Sequence, residues 1–224
     1  TDIDFQNIIV NGMGGSAIGG EFVSTLLIDE LKIPLIINRS YNIPNWVNKK
    51  TLVVLCSYSG NTEETISCYN ECIKRKIKPL IISSGGYLSE QAQRFSYNYV
   101  KLESGIQPRA AFGFSSSILL LSLVKFNLIS TKFISMLEDS VISLKLMSEN
   151  LSLLEKSNEA INLAEMIHGK RPIIYGSTLT EVVANRFKCQ LAENAKVLSQ
   201  NATIPEQNHN EIEGYVNQNN KNSI

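Results

Sequence analysis

The sequence predicts an α/β fold: a mostly parallel β-sheet sandwiched by helices, followed by a second, incomplete α/β subdomain. Three observations predict it. Short runs rich in Ile, Val and Leu recur at residues 8–11, 35–38, 52–55, 80–83 and 99–102, each the length of one buried strand. The intervals between them hold turns or helical patterns, the alternation that builds parallel sheets. Near the end a further strand, turn and helix follow one another from Pro172.

Taken in order, the run at 8–11 leads into the loop NGMGGSAIGG and a helical pattern over 17–31. After the run at 35–38, the strand-like residues 51–55 lead into CSYSGNTEET and a helical pattern over 63–76. Ligands of such sheets lie outside the carboxyl ends of the strands, so these two loops should face one crevice. From Phe114 to His168 the pattern is helical, with Leu119, Leu120, Leu123 and Val124 and then Leu144, Leu146 and Met147 as its apolar positions. His168 before Gly169 reads as a helix end, and His168 as structural. Strand 172–175, the turn GSTLTEV and a helix to about Lys196 follow, with Val183, Phe187 and Leu191 expected as a core stripe. Only one clear strand marks this part. The expected organisation is a first subdomain over 1–132, a helical connection over 133–169 and a partial second subdomain over 170–224, ending in a polar tail, NQNNKNSI.

Composition narrows the function. Lys plus Arg and Asp plus Glu both number 21, so no broad footprint for nucleic acid or an anionic membrane exists, and an anion must be bound locally. No apolar run reaches the roughly 18 residues of a membrane span, and the opening residues do not read as a signal peptide. Cys56, Cys68, Cys72 and Cys189 lack metal-site spacing, which points to reduced thiols in a cytoplasmic protein without a metal centre.

Candidate chemistry begins at Ser57, Ser59, Gly60 and Thr62. Three hydroxyls beside a glycine, between a strand and a helix, suit a phosphate: the hydroxyls donate, the turn gathers N–H groups, and the helix adds the positive end of its dipole. The alternative is a turn whose Asn61 or Thr62 merely caps the helix. In the first loop, Gly12, Gly14 and Ala17 have the GxGxxA spacing of a dinucleotide fingerprint, but the second strand ends INRS, without the acidic residue that holds a ribose. Both loops closing on one phosphosugar, with Gly15 and Ser16 touching it, is the preferred reading. In QPRAAFG, proline and small residues would let Arg109 approach an anion or enolate, against the alternative of a surface arginine. Glu193 stands near a helix's carboxyl end, where the dipole disfavours its charge by a few tenths to about 1 kcal/mol. That suits a carbon-acid base, although a solvated glutamate fits too. His209, in IPEQNHNEIEG, is the imidazole available for acid–base work.

The loops NGMGGSAIGG and CSYSGNTEET, then QPRAAFG, AENAK and PEQNHNEIEG, stand in the order found in bifunctional phosphoglucose/phosphomannose isomerases of the sugar isomerase (SIS) fold, and the sequence resembles that family over almost its whole length. The resemblance implies interconversion of glucose, fructose and mannose 6-phosphates through a cis-enediol, with no metal or other cofactor. It implies phosphate binding by Ser57, Ser59 and Thr62, proton transfer by Glu193 and enediolate stabilisation by Arg109. It also implies a homodimer in which His209 of the neighbouring subunit opens the sugar ring. Family members continue to a C-terminal helix whose threonine and lysine reach the active site, and neither has a counterpart in this sequence. Two other functions compete, a non-catalytic phosphosugar sensor on the same fold and a nucleotide-dependent oxidoreductase resting on GxGxxA.

Overall fold

The computed structural model describes residues 4–153 and 158–216; the polar tail 217–224 lies outside them. The chain divides into two compact units, 1–133 and 134–224.

In the first unit, five parallel strands stand in the order β2-β1-β3-β4-β5: β1 (Asn7–Asn11), β2 (Leu35–Asn38), β3 (Thr51–Cys56), β4 (Leu80–Ser83) and β5 (Asn98–Lys101). All six residues of β3 are buried, as a central strand covered on both faces requires, whereas β2 and β5 are partly exposed and form the edges. Alternation divides the core. Ile8, Val10, Leu52, Val54, Cys56, Leu80 and Ile82 join a cluster with residues of α1 (Gly14–Leu26) and α4 (Phe112–Lys125). Ile9, Val53, Leu55 and Ile81 join the opposite cluster with residues of α2 (Glu63–Lys74) and α3 (Gly86–Phe95). Removing one such side chain, Leu55→Ala for instance, costs about 2–5 kcal/mol.

Two sequence expectations shift here. The first helix starts at Gly14, inside the glycine-rich stretch, because several of those glycines serve helix packing. A Cβ on Gly19 would meet Ser115 Oγ at 2.3 Å, where α1 crosses α4, and one on Gly20 would meet Val10 and Ile37 at 3.0 Å. The glycine pattern is thus largely accounted for by close packing on the sheet and α4.

The second unit contains α5 beyond Phe133 (α5 being Lys132–Ser152), α6 (Glu159–Ile167), β6 (Ile173–Gly176), α7 (Glu181–Gln190), β7 (Gln200–Thr203) and the short α8 (Glu211–Gly214). Gly169, with φ +70°, follows the end of α6 as expected. A second strand, β7, pairs in parallel with β6, correcting the expectation of one strand. Its sequence QNAT has no apolar run to announce it. The expected core stripe on α7 is also corrected: Val183 and Phe187 are 53% and 37% exposed, while Val182 and Ala184 are buried. Val141, Ile142, Leu144, Leu146 and Met147 of α5 are exposed as well.

Candidate functional site

The chain passes from β1 to β2 on one side and places β3 on the other, so the sheet's topological switch point lies between β1 and β3. The helices that follow these two strands lie on opposite faces, and their amino termini flank the crevice at the strands' carboxyl ends. Gly15 and Ser16 occupy the first turn of α1, where the Ser16 N–H donates to Met13 O at 3.1 Å. Gly12 gives the close approach that brings this turn to β3, since a Cβ there would meet Cys56 O at 2.8 Å. Burial, partly offset by the Ser16 hydroxyl, pushes the Cys56 thiol up to about 11.

The second loop is internally braced. The hydroxyls of Ser57 and Thr62 lie 2.7 Å apart, and Ser57 Oγ also accepts the Gly60 N–H at 3.1 Å. Ser59 Oγ accepts the Asn61 N–H at 3.2 Å. Two amides expected to converge on a ligand are therefore spent within the turn, because the tight turn around Gly60 (φ +69°) brings side-chain oxygens of the same loop within hydrogen-bond reach of them. The remaining donors are the exposed Ser59 hydroxyl, the half-buried Thr62 hydroxyl and the first-turn amides of α2. Ser57 is buried, so it holds the loop's shape from beneath. Thr62 is the N-cap residue, yet its side chain makes no capping bond, so the hydroxyl placement is not explained by helix capping. Glu63 and Glu64 share this helix end, and the Tyr41 hydroxyl donates to Glu63 at 3.4 Å.

A neighbouring loop that sequence reasoning missed supports this one. Residues 83–87, SSGGY, follow β4, and Ser84 donates twice to Tyr58 O, through its N–H at 2.9 Å and its hydroxyl at 2.6 Å. Tyr87 N–H donates to Asn61 Oδ1 at 2.9 Å, and Leu88 N–H to Gly60 O at 3.1 Å. A Cβ on Gly60 would stand 1.8 Å from Gly85 O, and one on Gly86 2.3 Å from Ser59 O. The two loops interlock through their glycines. The signal available in the sequence was the pair Gly85–Gly86 directly after an apolar strand.

Arg109 lies in a single 3-10 turn, Pro108–Ala110, which packs against α1, and its guanidinium donates to Gln107 Oε1 at 3.4 Å. In the first unit, then, the structure gathers the loop hydroxyls and the first turns of α1 and α2 at adjacent strand ends, with the Arg109 turn packed on α1. The residue that ends β2 is Asn38, which donates to Asn11 Oδ1 at 2.8 Å.

In the second unit, Glu193 is exposed and lies in one turn of π-helix, Leu191–Ala195, that widens the end of α7; such turns recur at functional sites. Lys196, with φ +59°, ends it and donates through Nζ to the Glu193 carbonyl at 2.7 Å. His209 closes an exposed 3-10 turn, Glu206–His209, beyond the carboxyl end of β7. Among the described residues, no group of three or more His, Cys, Asp or Glu is placed to hold a metal, and no helix is long and apolar enough to cross a membrane.

Residues 156–224 match the bacterial phospho-glucose isomerase C-terminal SIS domain. A bifunctional phosphoglucose/phosphomannose isomerase of Caldicellulosiruptor bescii is 41% identical over 94% of this chain and 63% of its own length. A D-glucosamine-6-phosphate 4-epimerase of Sulfolobus acidocaldarius is 36% identical over 95% of this chain and 65% of its own. Among solved structures, a candidate phosphosugar isomerase of Bacillus subtilis superposes with a TM-score of 0.71 at 20% identity, over 93% of this chain and 65% of that one. This likeness shows the fold, an SIS-type α/β sheet. The chain spans just under two thirds of the length of these curated relatives. Over nearly its whole length, the chain is similar in sequence to the family of bifunctional phosphoglucose/phosphomannose isomerases, and its last third matches the C-terminal SIS domain of bacterial phospho-glucose isomerases.

Proposed function

We propose that the protein is an aldose–ketose isomerase of 6-phosphorylated hexoses, interconverting glucose 6-phosphate and fructose 6-phosphate, and mannose 6-phosphate with them. The observation that carries this reading is the hydroxyl-lined loop at the sheet's switch point, flanked by the amino termini of α1 and α2, in a chain similar in sequence to this family. A phosphate there takes hydrogen bonds from Ser59, Thr62 and the first turn of α2, with Ser57 bracing the loop and Gly15 and Ser16 meeting the sugar. The Sulfolobus relative is named for a different reaction, yet both names carry a phosphorylated hexose. The phosphate loop is the part of the reading common to both.

On this reading the chemistry runs as follows. His209 of the partner subunit gives a proton to the ring oxygen as the anomeric hydroxyl loses one, which opens the sugar. The Glu193 carboxylate removes the C2 proton; the electron pair forms the C1–C2 double bond and moves charge onto the C1 oxygen, which Arg109 balances. Return of the proton to C1, with C2–OH becoming the carbonyl, yields the ketose. No atom is gained or lost. The acting species is a homodimer in the reducing cytoplasm, and the exposed apolar residues of α5 and α7 are surface that association would cover.

A coupled assay tests the reading. Purified chain is supplied with fructose 6-phosphate, formation of glucose 6-phosphate is followed through a dehydrogenase, and mannose 6-phosphate is then offered as substrate. Turnover of fructose 6-phosphate is expected. No turnover, together with no binding of the phosphosugar, would overturn it.

A further inference from the structure

Tyr58 joins two parts of the first unit that the proposed function uses separately. Its ring packs against the core cluster between the sheet and α4. Its phenolic oxygen donates to Glu103 O at 3.0 Å and accepts the Ile106 N–H at 3.1 Å, reaching across 45 and 48 residues of chain. Its backbone oxygen receives both bonds from Ser84. The segment clasped by the phenol connects β5 to the Arg109 turn, and it contains Gly105 at φ +98°, a conformation with little intrinsic preference for one geometry. Past the clasp, Gln107 and Pro108 lead directly into Arg109.

We propose that Tyr58 is a positioning residue: its phenol holds the segment 103–106, and through it Arg109, in register with the phosphate loop in which Tyr58 itself stands. The inference rests on the isomerase reading for what Arg109 does, but the clasp itself is independent of it. Phosphate anchoring and enediolate stabilisation demand a fixed separation between the loop and the guanidinium, since sub-ångström errors in positioning already reduce transition-state stabilisation. The phenol supplies a rigid tie with only two side-chain torsions. A phenylalanine would keep the ring in the core and delete both bonds.

The test uses Tyr58→Phe, Arg109→Ala and the double variant, with two probes: inorganic phosphate, and a phosphorylated hydroxamate that mimics both the phosphate and the enediolate. For Tyr58→Phe, phosphate affinity should stay within about twofold, while hydroxamate affinity should fall roughly tenfold. In the double variant the loss should equal that of Arg109→Ala alone, because a positioning residue has no effect once its target is gone. Additive losses, or equal weakening of both probes, would overturn the proposal. If the unaltered chain binds neither probe, the isomerase reading falls, and the ligand-free measurement decides the clasp. In it, amide hydrogen exchange at Ile106 should accelerate at least about tenfold in Tyr58→Phe while amides of β3 stay protected. Unchanged Ile106 exchange would mean that the phenol holds nothing in place.

Discussion

Glu193 and His209, sixteen residues apart in sequence, lie at opposite ends of the β6-α7-β7 unit. The two strands are parallel, so α7 runs back along them and carries Glu193 to their amino ends. β7 then returns, rising about 3.3 Å per residue, and delivers His209 beyond its carboxyl end. Two groups held this way by one rigid crossover do not converge on a single sugar. On the proposed function they would serve two active sites, each using the glutamate of one subunit and the histidine of the other.

Mixed subunits test this directly. An active preparation carrying Glu193→Gln and one carrying His209→Ala should each lose most of their activity. Dissociated and reassociated together, they form heterodimers in which one site regains both groups, and about a quarter of the unaltered activity should return on random pairing. If mixing restores nothing, His209 acts within its own subunit.

The interlocked glycines give a stability prediction. Gly60→Ala adds a Cβ that meets the Gly85 carbonyl at 1.8 Å at a residue with φ +69°, so backbone must move in both loops. Gly14→Ala also adds a side chain at positive φ, +50°, but into open space, and should cost only the roughly 1–2 kcal/mol of the left-handed conformation. The melting temperature of Gly60→Ala should fall well below that of Gly14→Ala, and its phosphate binding should be lost. Equal melting temperatures would mean that the loops do not bear on each other.

For the phosphate loop, Ser59→Ala and Thr62→Ala should each remove a charge-assisted bond to the ligand, worth about 1.5–3 kcal/mol, measured by titration with fructose 6-phosphate. Ser59→Ala should leave the melting temperature nearly unchanged, since the residue is exposed. Ser57→Ala should lower both affinity and melting temperature, because that buried hydroxyl holds Thr62 and the Gly60 amide. Unaltered affinity in the Ser59/Thr62 double variant would remove the loop from the site.

The buried thiols set a limit at high pH. Burial pushes Cys56 and Cys68 up to about 11 and Cys72 up to about 12, from a starting value of 9.0. A group raised in the folded state stabilises fully below its unfolded value and loses that contribution as pH rises through the folded one. Stability should therefore decline from about pH 9 toward 11–12, and replacing Cys56 by Ala should flatten part of that decline. At pH 8, iodoacetamide should modify Cys189, which is half-buried, ahead of the other three. Equally fast reaction of all four in the folded protein would contradict the burial.

Legibility in the sequence followed apolar contrast. β2 and β4 are the runs 35–38 and 80–83 as read, β1 differs from its run by one residue at one end, and β3 and β5 differ by one residue at each end, because burial on both faces leaves uninterrupted Ile, Val and Leu. β7 was not legible: QNAT is polar, and its strand conformation comes from pairing with β6. The candidate site residues were legible as types but not as geometry. Nothing local in SYSGNT says that Gly60 and Asn61 would spend their amides inside the turn, or that SSGGY, two dozen residues on, would lock it. The Val183, Phe187 and Leu191 pattern has helical spacing and was right about the helix, but periodicity does not say which neighbour covers a face.

On the proposed function, the roles of Glu193 and His209 separate by substrate form. Ring opening and C2 proton transfer are distinct steps, and an acid or base in either contributes typically about 10² to 10⁴-fold. Every substrate, cyclic or open, needs the C2 proton moved, so Glu193→Gln should abolish exchange of that proton with solvent even for an open-chain analogue. Only cyclic sugars need their ring opened. His209→Ala should therefore slow cyclic fructose 6-phosphate strongly while leaving the open-chain analogue close to the unaltered rate, with proton exchange on the analogue intact. The two variants are read on the same pair of ligands, so any general loss of structure would depress both and be recognised as such. Equal losses on cyclic and open-chain forms in His209→Ala would mean that this imidazole does not open the ring.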